Sequence, residues 1–390
     1  MNDLDLHNRT RTFFVEIRKR HKVNDEIGPI RNRDGTLSEN VSDTLKNWSE
    51  FYQNLYCEDA PPRKPSVVQT PDEDPSLDKD LTLSEFVDII YSLKHHKSPG
   101  LDSILNEDIT SVILEGDEDN PIPPSLTKTM LNAIFKILSE FWFNESVPRD
   151  FQRTLLKPVL KNREAEKYDP SNYRPISLLN TLMKIYEGII CKRLISYIEE
   201  KRILSPYQAA YRKGKSTSDH ILVLQEVSLE YRFYKIGPRG GKIKKYLYLC
   251  FLDLKKAFDT VPRHILFSKL YRAGIRGKLF RVIRNLFSSN PANVLVDNLL
   301  SPEFLINRGV LQGSKLGPIL FNIFINDLLT QLTDAGWGAS IEPLLIAVLC
   351  FADDIVLISD CPKKLQRQLD ICQSWSHDNG MAFTHPNVKS

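Results

Sequence analysis

Apolar positions along the chain change period several times, and each change marks an element. Residues 10–56 read as helical, basic and aromatic, with a turn at Arg33-Asp34-Gly35 and a second helix spacing Trp48, Phe51, Tyr52, Leu55 and Tyr56. A stretch rich in Pro and acid over 57–82 has no such period and is expected as a linker. Residues 84–93 predict a capped amphipathic helix, and Pro99-Gly100 a turn after it. Leu131, Ile134, Phe135, Leu138 and Trp142 form one stripe of a helix over 126–146. TLLKPVLK (154–161) predicts a strand, a polar loop leads to NYRPISLL (172–179), a long helix covers 181–203, and another opens near Thr217.

The second half is more pointed. YLYLCFLDL (246–254) predicts a buried strand that carries an acid, Asp253, near its end. KKAFDTVPRH then turns into a helix, with Pro262 suited to its first turn. RGVLQGSKLGPILFNIFINDL (308–328) is a Gly-bearing loop entering a helix striped by Leu320, Ile323, Phe324 and Leu328. LCFADDIVLIS (349–359) predicts two short buried strands joined by a tight turn at Asp353-Asp354. With no internal repeat, the order of elements predicts a compact α+β body with helical additions.

Composition sharpens this picture at two points. The longest apolar run, 341–358, contains Glu342 and both aspartates, which are costly in a bilayer, so no membrane span is expected. Residues 1–20 lack the apolar core of a signal peptide, and the six cysteines form no C-x-x-C pair, as expected of a reduced, intracellular protein without a zinc site. The formal charge of +3 is unevenly spread. Residues 57–120 hold five Lys and Arg against sixteen Asp and Glu, whereas 151–215 hold fourteen against six and 235–284 fourteen against two. Basic blocks interleaved with Tyr and Phe suit a nucleic-acid groove, although such blocks also serve as solvated helix faces.

Two adjacent carboxylates in an apolar hairpin need an explanation, because burying one ion costs several kcal/mol and two repel each other. Asp serves turns well through side-chain to backbone hydrogen bonds, which is one explanation. The other is a divalent cation that keeps the acids ionised. Strand-Asp, then Gly loop and helix, then strand-Asp-Asp-strand is the order needed to bring three carboxylates to one sheet edge, as a two-ion nucleotidyl transfer requires.

Read as a series, the motifs HHKSPGLDSI, NYRPISLL, QAAYRKGKSTSDH, FLDLKKAFDTV, RGVLQGSKLGPILFN and LCFADDIVLIS resemble the reverse transcriptases of non-LTR retrotransposons, the long interspersed element class. The resemblance implies a right-hand polymerase with fingers over 83–240 and palm over 241–390, and with the thumb missing from this chain. It implies an RNA template, a DNA primer, deoxynucleoside triphosphates and two Mg2+ ions, with Mn2+ as a substitute, held by Asp253, Asp353 and Asp354. Phe258 falls where the family places a ring that rejects a ribonucleotide 2′-hydroxyl, a core Phe being the alternative. Arg174 and Lys161 match fingers positions that meet the triphosphate, with Lys157 a competitor for the latter. Gln312 and Gly313 match the loop that packs against nucleotide and template. Lys97, Arg212, Lys213 and Lys215 read as phosphate-tracking surface. Lys389, in a shifted form of the family's next motif, corresponds to a lysine that protonates pyrophosphate. The resemblance further implies a fragment of a longer element protein, located in nucleus and cytoplasm as a ribonucleoprotein. Its alternatives are an inactive or domesticated nucleic-acid-binding remnant and a group II intron maturase.

Overall fold

Trp48, Tyr52 and Tyr56 recur every four residues and are almost wholly buried, so α1 (Val41–Tyr56) turns one aromatic ridge inward. Asn40 caps the helix by accepting from the Asp43 N–H. Trp48 stacks on Tyr52 at 5.4 Å and meets Tyr173 edge-on at 5.1 Å, which ties the leader into the main core. The computed structural model describes residues 28–32, 34–57, 74–113, 124–162, 164–232, 234–236, 242–288 and 290–384. The helical reading over 10–27 and the position of Lys389 lie outside those residues.

Part of the expected linker is packed structure. Residues 58–73 lie outside the described residues, but α2 (Pro75–Asp78) buries Leu77 almost completely, and Leu81 follows it into the core. A capping box between Thr82 and Glu85 then opens α3 (Leu83–Tyr91). After α4 (Asn106–Ile113), α5 (Pro124–Phe143) and α6 (Arg149–Gln152), the long α7 (Thr181–Glu200) runs through the core. From α7, Arg193 forks onto Glu85 at 2.8 Å and donates to the carbonyls of Leu77, Lys79 and Asp80. Burial alone would raise the Glu85 carboxyl, but the hydrogen bonds from Arg193 and Thr82 prevail and bring its pKa to about 2.

The strands follow as β1 (Thr154–Leu160), β2 (Tyr173–Leu178), β3 (Tyr234–Ile236), β4 (Lys242–Lys244), β5 (Tyr248–Asp253), β6 (Asn290–Val296), β7 (Leu299–Leu300), β8 (Phe304–Ile306), β9 (Ala339–Ile341), β10 (Leu344–Ile346), β11 (Val348–Phe351) and β12 (Asp354–Ser359). Between them lie α8 (Thr217–Glu230), α9 (Arg263–Arg272), α10 (Gly277–Leu286) and α11 (Gly317–Asp334), with α12 (Pro362–Asp378) last. One sheet has the order β2-β1-β6-β7 with β8 also on β6. A second is β11-β12-β5, antiparallel throughout, with α12 packed against β12 and β5 and α11 against β11, while β9-β10 and β3-β4 form two-stranded sheets. Part of its opposite face meets α8, where Val227 packs with Leu349 and Ile358. None of the six cysteines forms a disulfide, and Cys350 and Cys372 are buried whereas Cys57 is exposed.

The strand expected to be buried over 246–254 is buried on one face only. Leu252 is enclosed, whereas Phe251 is 64% exposed, because β5 is the last strand of its sheet and turns that side chain away from α12.

Arg193 serves four partners at once, so Arg193→Ala leaves a partly buried carboxylate and three carbonyls without their donor. We expect a loss of about 3 kcal/mol in urea unfolding, the low end for breaking a buried ion pair from one side.

Candidate active site

The register of β5 against β12 sets Asp253 directly opposite Asp354, and the two-residue turn between β11 and β12 places Asp353 next to them. That turn forces Ala352 into the left-handed region at φ 58°, where glycine is the easier residue. Gln208, wholly buried, holds Ala352 on both sides. Its Oε1 accepts from the Ala352 N–H at 3.0 Å and its Nε2 donates to the Ala352 carbonyl at 3.3 Å. Gln208 belongs to QAAYRKG, so this motif clamps the aspartate turn, a role that sequence reasoning missed.

Burial raises the Asp353 carboxyl, and repulsion from Asp354 and Asp253 adds to it while Arg174 pulls the other way. Asp354 is raised by burial and then by Asp253. Three neighbouring carboxylates form a hard, anionic oxygen donor set, which fits a divalent cation. Among the described residues, no group of three or more His, Cys, Asp or Glu is drawn together closely enough to hold a metal ion.

Asp253 and Asp353 line a cavity of about 560 Å³, within the usual range for ligand sites. Lys161 and Arg174 line it too, joined by Lys256, so cations and carboxylates share one space. The expected residues Phe258, Gln312 and Gly313 are also on its wall, whereas Asp354 and Lys157 are not. Phe258 is half-buried and stacks on Phe321 at 4.6 Å, so it is both a packed ring and a cavity wall. At Gly313, φ is +124° and an added Cβ would stand 2.3 Å from the Ser177 carbonyl, so close backbone approach requires glycine there.

The loop before α11 is fixed at both ends by buried acids. Glu187 of α7 accepts from the Ser314 hydroxyl at 2.7 Å and the Lys315 N–H at 2.9 Å. Burial raises its carboxyl to about 7 against these hydrogen bonds. At the other end Asp259 accepts from the Tyr56 hydroxyl at 3.1 Å and from Gln312 Nε2 at 3.1 and 3.2 Å. Burial lifts Asp259 to about 6, opposed by Tyr56, Lys256 and Gln312.

Lys256, Asp259 and Tyr211, with Phe51 and Leu55 from α1, are cavity residues that the motifs did not single out. A usable signal for Asp259 was an acid behind Phe258 in a block with only two acids. Outside the cavity lining, the Thr384 hydroxyl donates to the Asp253 carbonyl at 2.8 Å, a contact the motifs did not indicate either. One surface reading is corrected: Arg212 is not a free phosphate contact, because its fork is engaged by the Glu199 carboxylate at 2.8 Å and by the Ser205 carbonyl.

With this geometry in view, residues 160–386 match the profile of the reverse transcriptase (RNA-dependent DNA polymerase) family. The match covers more than half of the chain, which therefore belongs to that family. Its mixed sheets and helices make the fold α+β, as expected. Among relatives, the probable RNA-directed DNA polymerase from transposon BS of Drosophila melanogaster is 29% identical over 304 residues, 76% of this chain and 30% of that protein. The Pol polyprotein from the type-1 retrotransposable element R2 of Popillia japonica is 31% identical over 261 residues, 66% of this chain and 34% of that protein. The transposon TX1 149 kDa protein of Xenopus laevis is 25% identical over 97% of this chain and 28% of its own length. The chain thus spans about a third or less of these relatives. Reverse transcriptases use divalent metal ions as a family. No helix of the described residues is long and apolar enough to cross a membrane.

The two buried acids set a pH dependence of stability. A carboxyl that binds its proton more tightly folded than unfolded makes ionisation costly in the fold. For Asp259, stability is then highest below its unfolded-chain value of 3.8, falls as pH rises, and levels off above its folded pKa of about 6. The shift is worth roughly 3 kcal/mol. In Asp259→Asn, urea unfolding followed from pH 4 to pH 8 should show a shallower decline than wild type.

Proposed function

We propose that the chain is the catalytic part of an RNA-directed DNA polymerase of a non-LTR retrotransposon, extending a DNA primer on an RNA template from deoxynucleoside triphosphates. The observation that carries this reading is the register pair Asp253–Asp354 with Asp353 beside it, on the same cavity as Lys161 and Arg174. Asp253, Asp353 and Asp354 would hold two Mg2+ ions, or Mn2+ in their place. Bound there, the ions would supply Lewis-acid activation of the primer hydroxyl and charge neutralisation of the triphosphate.

The chain's own groups do the rest. Arg174, Lys161 and Lys256 hold the triphosphate oxygens, as charged clamps in phosphoryl transfer do. The Phe258 ring, held by Phe321, occupies the space of a 2′-hydroxyl. Gln312 and Gly313 pack against the nucleotide and template, with Gly313 allowing the backbone to approach. Lys389 is assigned the protonation of pyrophosphate. A ribonucleoprotein of nucleus and cytoplasm would be the setting.

Primer extension on an RNA template with Mg2+ tests the assignment. Asp353→Asn keeps size but removes a charge, and extension should fall by at least about 100-fold, since the lost stabilisation is several kcal/mol. Its melting temperature should hold or rise as repulsion falls. Equal extension by wild type and variant would leave the aspartates as turn residues only, and a wild type that neither extends primers nor binds deoxynucleotides with Mg2+ would point to a remnant.

The same assay tests Phe258. With Phe258→Ala, the preference for deoxynucleotides over ribonucleotides should shrink by about tenfold or more, the scale of one steric exclusion in a site. An unchanged preference would make Phe258 a core residue alone.

A further inference from the structure

Tyr211 lines the cavity on a costly backbone. Its φ is 59°, in the left-handed region where a bulky residue is an outlier and glycine the easier choice. Strain of this kind persists only where the surroundings enforce it, and both neighbours of this half-exposed tyrosine are fastened. On one side, the Ala210 N–H donates to Gln208 Oε1 at 3.0 Å and the Ala210 carbonyl accepts from Asn322 Nδ2 at 2.8 Å. On the other, Arg212 is gripped by Glu199 and by the carbonyls of Ser205 and Gln208. The segment is also tied to the aspartate hairpin, since the Ala209 N–H donates to the Cys350 carbonyl at 3.0 Å.

What this segment delivers is a ring. Tyr211 meets Phe258 edge-on, with centroids 6.5 Å apart and planes at 85°. Phe258 is already backed by Phe321, whose ring lies at 20° to its own. Phe321 and Asn322 are consecutive, wholly buried residues of α11, so the same point of one helix backs the Phe258 ring and holds the segment that carries Tyr211. The Phe258 carbonyl accepts from the Val310 N–H at 2.7 Å, which pins its backbone as well. Among the described residues the Tyr211 hydroxyl has no hydrogen-bond partner, so the ring is the part in use.

We propose that Tyr211 is a positioning residue for sugar selection: its ring holds Phe258 at the distance from the aspartate turn that excludes a 2′-hydroxyl. This rests on the polymerase reading above and on the place given there to Phe258. The segment then has two duties. Gln208 fixes the turn that carries Asp353, and Tyr211, three residues on, fixes the ring. The spacing between the aspartates and the sugar wall is thereby set within one short stretch of chain. A ring without this contact swings more freely, which admits the extra oxygen of a ribonucleotide and leaves the contacts of a deoxynucleotide unchanged.

Steady-state extension with deoxy- and ribonucleotides is the test, run on wild type, Asp353→Asn, Tyr211→Phe, Tyr211→Gly, Phe258→Ala and the double variant Tyr211→Gly with Phe258→Ala. Tyr211→Gly removes the ring and suits the left-handed backbone, so its melting temperature should hold or rise. Its ribonucleotide kcat/KM should rise about threefold or more, with the deoxynucleotide value within about twofold of wild type. Tyr211→Phe, which keeps the ring, should match wild type for both. With Phe258→Ala already present, Tyr211→Gly should change nothing further, because a residue that acts through another has no effect once that other is gone. Tyr211→Asn, which also tolerates this backbone region, carries the test if Tyr211→Gly does not fold. Unchanged discrimination in Tyr211→Gly, an equal change for both nucleotides, or an undiminished effect beside Phe258→Ala each overturns the proposal. An active wild type with an inactive Asp353→Asn establishes the polymerase reading separately. An inactive wild type overturns that reading, an unchanged preference in Phe258→Ala overturns the place of Phe258, and either takes this inference with it.

Discussion

Like charges do not gather at one edge of a sheet unless something compels them, and here the compulsion is sheet register. Pairing of β5 with β12 sets Asp253 against Asp354, and a slip of one residue would send one of them to the helix-covered face. The register is held by Leu252, Ile355 and Leu357, which the core demands on the α12 side. Hydrophobic burial thus fixes the carboxylates, and their mutual repulsion is the cost of keeping them together.

The compensation is distributed. Gln208 holds the turn that carries Asp353, Glu187 holds the entry to α11, and Asp259 holds Gln312. Each is a buried polar group whose hydrogen bonds end on a segment that carries a cavity residue, so each trades folding stability for a fixed geometry. Burial pushes both carboxyls upward, Glu187 to about 7 and Asp259 to about 6. Residues chosen for folding alone would not carry ionisable groups there.

Much of this was legible in the sequence, for reasons that can be named. The hairpin, the strand bearing Asp253 and the helix after the Gly loop each have a clean period or a turn signal, and the structure has all three. Lys161 and Arg174 were placed by motif, and both reach the cavity. What period and motif could not give was contact between distant segments. That Tyr56 meets Asp259, 203 residues away, depends on how α1 packs on β6 and β8. The exposed face of β5 was missed because an apolar run does not say which strand is last in a sheet. Arg212 was misassigned because a basic residue in a basic block looks free until its carboxylate is seen.

The thiols offer a practical handle on this architecture. Burial holds Cys191, Cys350 and Cys372 firmly protonated and slow to alkylate, each with its pKa pushed upward. Cys57 is exposed, and it follows Tyr56 directly. A dye attached at that sulfur would sit on the residue next to Tyr56, whose hydroxyl holds Asp259, and its emission would follow the end of α1 as the cavity fills.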